Sequence, residues 1–172
     1  FLKDRHIGHF HLPLPGVHNA LNGLAAIGVA LTLNIDAQLI RDALGKFAGI
    51  QRRCEFKGEM NGIAVYDDYG HHPTEIKAVL KTIAPSFPER RRLVPFQPHR
   101  YTRTQALFDD FTTAFYHSDV LCVTDIYAAS EPPIPGVHAE KLVRSIQEHG
   151  HANIRYIPNQ MALVELIMEE LR

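Results

Sequence analysis

Cysteine is scarce in this chain of 172 residues, which holds only Cys54 and Cys122. They form neither a CxxC pair nor a secreted framework, which excludes a disulfide scaffold and points to a reducing, cytoplasmic compartment. Both read as small, buried apolar residues. An excess of either charge is also missing. Eighteen Lys and Arg stand against 19 Asp and Glu, a net charge of −1 with histidines neutral. That balance excludes a generally basic nucleic-acid coat and an acidic disordered tail. Long hydrophobic runs are absent too: residues 20–33, the most apolar stretch, are interrupted by Asn22, Thr32 and small residues. The stretch is too short to cross a membrane and reads as a buried helix. No signal peptide is visible. None of the eleven glycines falls in a GxxxxGK[ST] pattern, so the chain carries no phosphate-cradling P-loop. The sequence opens on Phe1, and the expectation is a piece of a larger protein. Its apolar share of 45% suits one compact domain, or one domain with part of another.

What is present divides near Gly49. Before it, residues 7–14 alternate apolar positions and read as the end of a strand leading into Pro13, Pro15 and Gly16. Residues 18–33 carry helical periodicity. Asp36 is positioned to cap a second helix over 37–46, whose buried face would be Leu39, Ile40, Ala43 and Leu44. After Gly49, Asn61-Gly62 joins two short strands and is the strongest short hairpin signal, because both residues tolerate positive φ. Pro73 opens a helix to about Ala84. Leu93 to Gln97 is a strand that Pro95 confines to an edge or bulge. Residues 104–117 read as one helix, and 119–126 as a strand buried on both faces. Helices over 139–149 and 160–171 flank a short strand at 154–157. Strand and helix alternate from residue 63 onward, which predicts βαβ units with a parallel sheet. The class is α/β with a helical preface.

Two loops at strand carboxyl ends carry the chemistry. The first runs Tyr66-Asp67-Asp68-Tyr69-Gly70-His71-His72-Pro73-Thr74-Glu75, and the second Gln97-Pro98-His99-Arg100-Tyr101-Thr102-Arg103. Both also precede helices, where backbone N–H groups and the dipole favour an anion. Arg100 and Arg103 add planar forks matched to carboxylate or phosphate. His71, His72 and His99 add groups that titrate near neutrality. Taken singly, Asp68 reads as an N-cap, the histidine pair as a solvated loop and the arginines as solvent-facing. Taken together, on one edge of one sheet, they read as a site. Arg90-Arg91-Arg92 lies at the opposite, amino end and reads as a solvated turn. Without interleaved aromatics it makes a poor nucleic-acid patch. His6, His9 and His11 lack a nearby carboxylate or Cys partner and read as ordinary strand residues rather than metal ligands.

The strings DDYGHHPTE at 67–75 and FQPHRYTRT at 96–104 resemble the Mur ligases of peptidoglycan synthesis. PGVHNALNGLAA at 15–26, FAGIQRRCE at 47–55 and EPPIPG at 131–136 agree, so the resemblance spans nearly the whole chain. It implies a carboxyl-terminal piece. Residues 1–50 would be a helical remnant of the central ATP-binding domain. Residues 51–172 would be the family's carboxyl-terminal domain, a Rossmann-like, mostly parallel sheet with flanking helices. The implied activity is ATP-dependent amide formation through an acyl phosphate, joining L-alanine to UDP-N-acetylmuramate. By carry-over, Asn19, Arg53 and Asp68 would bind ATP. His71, His99, Arg100 and Arg103 would serve the reacting acyl group and the amino acid, with Tyr69 and His72 close by. Mg2+ would be held by ligands outside this chain, as would the missing amino-terminal and central domains, and the piece alone would be inactive. No membrane or nucleic-acid partner is implied.

Two other enzymes stay open at this point. One is the murein peptide ligase of the same family, which the PHRYTR loop disfavours. The other is a metal-dependent phosphoesterase with Asp67, Asp68, His71 and His72 as ligands.

Overall fold

The computed structural model describes residues 6–14 and 16–171. The chain forms two compact units: residues through Phe56 with Tyr66–Asp68, and Lys57–Val65 with Tyr69 onward.

In the first unit, α1 (Val17–Thr32) and α2 (Ala37–Gly45) follow the predicted periodicity. Asp36 caps α2, its side chain accepting from the Gln38 N–H at 2.8 Å. Residues 7–14, expected to end a strand, carry none. Gly8 turns through φ 124° and breaks the extended path that a strand requires. The Arg41 guanidinium donates to the Ile7 carbonyl at 3.1 Å instead of a neighbouring strand. Nor is α1 a buried helix. Only Gly23 and Ile27 are buried along it, while Leu21, Leu24, Val29 and Leu33 are exposed. On α2 only Ile40 is buried, and Leu39 is exposed. Two helices without a sheet cover one face of each other and leave the second uncovered.

The strands β1 (Glu55–Met60) and β2 (Ile63–Asp67) make a two-stranded sheet of their own. Asn61 and Gly62 turn it at φ 53° and 80°, the sign that a tight primed turn demands. This corrects the expectation that β2 begins the parallel sheet. Its hydrogen-bonding edge is taken by the strand just before it, across a two-residue loop, which is far cheaper to close than a crossover. The two polar loops therefore do not leave one edge of one sheet.

The second unit is built on β3 (Leu93–Phe96), β4 (Val120–Val123) and β5 (Ile154–Tyr156), parallel and in the order β3-β4-β5. Leu93 stands beside Val120, and Leu121 beside Ile154. All four residues of β4 are fully buried, as a strand covered on both faces must be. Leu121 and Val123 pack with Ile76, Leu80, Phe96, Phe111, Phe115, Leu142 and Ile146. On the opposite face Val120, Cys122 and Ile157 meet Leu163 and Leu166. The flanking helices are α3 (Pro73–Ser86), α4 (Tyr101–Ala106), α5 (Phe108–Thr112), α6 (Ala139–Glu148) and α7 (Gln160–Glu170).

The single helix expected over 104–117 is instead α4 and α5, broken at Leu107 (φ −113°, ψ 19°). Asp109 and Asp110 in the first turn of α5 favour a fresh helix start there. Within β3, the Arg92 carbonyl accepts from Val120 N–H at 3.1 Å and the Phe96 carbonyl from Thr124 N–H at 3.0 Å. Pro95 lies between these bonded positions, so its nitrogen faces away from β4.

Arg90 and Arg91 are exposed beside a turn, as expected, and every arginine of the triplet also finds a carboxylate. Arg90 donates to Glu59 at 2.9 Å, Arg92 to Asp119 at 3.0 Å, and Arg91 to Glu170. Glu170 also takes Arg155 at 2.6 Å. Its two arginine partners hold its carboxyl below the ordinary range, the hydrogen bond from Arg91 being the largest cause.

Candidate active site

The first polar loop ends in the cap of α3, and the capping residue is His72 rather than Asp68. Thr74 N–H donates to His72 Nδ1 at 3.3 Å, and the Glu75 carboxylate reaches back to His72 N–H at 3.2 Å, a reciprocal capping box. Glu75 also accepts from His71 N–H at 3.2 Å. One turn of backbone thus fixes the entry of both histidines. His71 Nδ1 lies 3.0 Å from the Tyr69 carbonyl, which can only accept. The hydrogen of a neutral His71 therefore sits on Nδ1, and Nε2 keeps its lone pair. The Tyr69 ring meets the His71 ring edge-on, 5.2 Å between centroids.

The second loop comes within ring distance of the first, with His71 and His99 at 6.2 Å between centroids. Arg103 donates to the His99 carbonyl at 3.2 Å and stands 3.4 Å from His99 Nδ1. Burial, then the positive charges of Arg103 and Arg100, then His71, lower the His99 pKa from its ordinary value, with Glu131 opposing. His99 is consequently a neutral, acceptor-bearing imidazole at neutral pH. Arg100 holds φ 75° and ψ 136° at the start of α4, a conformation that costs a non-glycine residue about 1–3 kcal/mol. Its backbone is held there from the third loop, where Arg100 N–H donates to the Tyr127 carbonyl and Tyr127 N–H to the Pro98 carbonyl, both at 2.8 Å.

That third loop, after β4, is what the sequence reading missed. His99 and Tyr127 form a parallel β-bridge, with their rings 5.1 Å apart. Ala129 and Ser130 both adopt positive φ, 49° and 71°, and deliver Glu131 to the start of α4. The Glu131 carboxylate accepts from Thr102 N–H at 3.0 Å and from Thr102 Oγ1 at 2.7 Å, and lies 3.7 Å from an Arg100 nitrogen. Those hydrogen bonds, the backbone one first, hold it below the ordinary carboxylate range. The only signal in the sequence was that Glu131 opens a proline-rich loop, and nothing in its spacing aims it at Arg100.

Tyr69, His71, His72, His99, Arg100 and Arg103 all belong to the second unit, whereas Asn19, Arg53 and Asp68 belong to the first. There, Asn19 stands on the first turn of α1. The Asp68 carboxylate accepts from Cys54 N–H at 2.7 Å, and Asp67 faces Arg52 at 3.5 Å. Arg52 and Cys54 both sit at positive φ, 57° and 48°, on either side of Arg53. The Asp68 carboxylate is thereby tied to the turn that carries Arg53. Cys54 is only half-buried, unlike Cys122, and burial raises both thiols above their ordinary pKa. Among the described residues no three His, Cys, Asp or Glu side chains gather as a metal ion requires. The phosphoesterase reading needed four such ligands in the first loop, and His72 is already the cap of α3.

The profile of the Mur ligase glutamate ligase domain matches residues 52–172. The UDP-N-acetylmuramate–L-alanine ligase of Syntrophobacter fumaroxidans is 55% identical over 150 residues, covering 87% of this chain and 32% of that protein. The ligase of the same name from Desulfosudis oleivorans is 49% identical over 170 residues, covering 99% of this chain and 37% of that protein. Among solved structures, a UDP-N-acetylmuramate–alanine ligase of Thermotoga maritima aligns with TM-score 0.70 at 30% identity, over 87% of this chain and 31% of that one. A murein peptide ligase of Psychrobacter arcticus shares the fold, with TM-score 0.67 at 24% identity over 92% of this chain and 32% of that one. The chain thus spans about a third of the length of the relatives it matches.

Proposed function

The chain belongs to the Mur ligase family, and from that premise we propose that it is part of an ATP-dependent ligase joining L-alanine to UDP-N-acetylmuramate. Relatives so named are 55% and 49% identical over most of this chain, which favours alanine as acceptor over a whole peptide. In this reading the muramate carboxylate attacks the γ-phosphorus of ATP, giving an acyl phosphate and ADP. The alanine amine then attacks the acyl carbon, and phosphate leaves.

The observation that carries the proposal is the meeting of His71, His99, Arg100 and Arg103 beyond the carboxyl end of β3. Parallel sheets bind ligands at that end. Arg100, half-exposed and strained, presents a planar fork to the alanine carboxylate, and Arg103 adds a second positive charge. Together they stabilise the negative charge that builds on the acyl phosphate and the tetrahedral intermediate. The ammonium of alanine must lose a proton before it attacks, and the Nε2 of a neutral His71, whose Nδ1 meets the Tyr69 carbonyl, is the acceptor assigned to it. Asn19, Arg53 and Asp68 are assigned to adenine and ribose, and residues 1–50 to the end of the central ATP-binding domain. Mg2+ would neutralise the transferred phosphate. The described residues supply no cluster suited to it, and its ligands are assigned to the rest of the enzyme.

The test is Arg100→Ala in the full-length protein, followed by alanine-dependent ADP formation. Removing one partner of a carboxylate clamp costs about 2–5 kcal/mol, a loss of roughly 30-fold or more in kcat/KM for alanine. Near-normal turnover would sink the clamp.

A further inference from the structure

Glu131 has no part in the roles above, yet it is the most firmly held charged group near Arg100. Both of its carboxylate oxygens are occupied by Thr102, one by the backbone N–H at 3.0 Å and one by the hydroxyl at 2.7 Å. Its own N–H closes a turn onto the Ala128 carbonyl at 3.0 Å, across the two left-handed residues Ala129 and Ser130. The side chain is 18% exposed, while that of Arg100, 3.7 Å away, is 49% exposed. A fixed anion thus stands beside a long, half-exposed cation. Left alone, an arginine at that exposure samples many rotamers, and ordering it on binding costs affinity.

A second effect opposes this one. A negative charge near the clamp also repels an incoming carboxylate. Two features decide between them. Glu131 is tied by two hydrogen bonds to Thr102 and lies 3.7 Å from Arg100, so a carboxylate bound on the far side of the fork stands farther from it than the guanidinium does. Its field therefore acts mainly on the guanidinium it orients. An amino acid also brings an ammonium group along with its carboxylate, which the same anion attracts.

We propose that Glu131 is a positioning residue, which holds the Arg100 fork ready for the carboxylate of the amino-acid substrate. The inference rests on the ligase reading. Thr102 serves it by pinning the carboxylate, and the loop after β4 is the third wall of the amino-acid site.

The experiment is Glu131→Gln in the full-length ligase, with steady-state kinetics against L-alanine, ATP and UDP-N-acetylmuramate in turn. Gln keeps the size and can still accept one Thr102 hydrogen bond, but carries no charge. The expected result is a rise of about tenfold in KM for alanine, with kcat and the KM for ATP changed less than twofold. Glu131→Asp, which keeps the charge, is expected to lie between the two. An unchanged or lowered KM for alanine would overturn the proposal. So would an equal loss in all three substrates together with a lowered Tm, since that marks a merely structural loop contact. The wild-type control separates the two levels of argument: without alanine-dependent ADP formation there, the ligase reading itself fails, and with it Glu131 is judged alone.

Discussion

At the scale of the residue, two histidines, one on each polar loop, have been given different work by their neighbours. His72 accepts a backbone N–H at its Nδ1 and caps a helix, while His99 lies between two arginines and is pushed toward the neutral form. The His99 value in the folded chain lies below the free value of about 6.5, so the folded state binds fewer protons between the two. Its effect on stability is nil above about pH 6.5 and grows unfavourable as the pH falls through that value toward the folded one. NMR titration of the His99 ring should therefore give a midpoint below 6.5. In Arg103→Ala the midpoint should rise, because the second-largest cause is gone. A midpoint above 6.5 in the unaltered chain would contradict the electrostatic account. Sequence pattern found His99 and both arginines because they crowd into seven positions after a strand. It missed Glu131, which lies 31 residues beyond Arg100 and reaches it only through the pairing of two loops.

At the scale of the element, helices were legible and strand partners less so. Periodicity and local caps define a helix within its own residues. Accordingly α1, α2, α3, α6 and α7 fall where the apolar spacing places them. The break at Leu107 escaped notice because the apolar stripe continues through it. The partner of β2 was misjudged because alternation of strands and helices says that a sheet exists, not which strands share it. The ends of α7 offer a clean test of local chemistry. Asn159 accepts from Ala162 N–H at 2.8 Å and is the N-cap of that helix. Asn159→Ala should lower stability by about 1 kcal/mol, and Asn159→Ser should restore most of it. Urea denaturation of the three proteins reads this directly, and an Ala variant as stable as the Ser variant would deny the cap its role.

At the scale of the whole molecule, the chain has a core of its own but no sequence motif for holding a triphosphate. The buried cluster around Phe111, Phe115, Leu121 and Leu142 is that of an ordinary α/β domain. Among the glycines, however, no pattern cradles a triphosphate. On the proposed reading, the residues assigned to the amino acid lie in this chain and those for the phosphoryl group do not. The isolated 172-residue chain should therefore fold, yet release no phosphate from ATP when L-alanine and UDP-N-acetylmuramate are supplied. A malachite-green assay with the full-length enzyme as positive control is sufficient, and release above the blank would show that the phosphoryl machinery lies within these residues. No helix among the described residues is long and apolar enough to cross a membrane.

Pro95 has a consequence at this scale as well. The strand β3 flanks the parallel sheet on one side, and its outward-facing positions would ordinarily offer N–H donors to any passing extended segment. At the middle of that short edge the donor is replaced by a ring, so a foreign strand could not continue its ladder past Pro95. The residue that confines this strand to an edge thus guards the assembled sheet against growth by self-association.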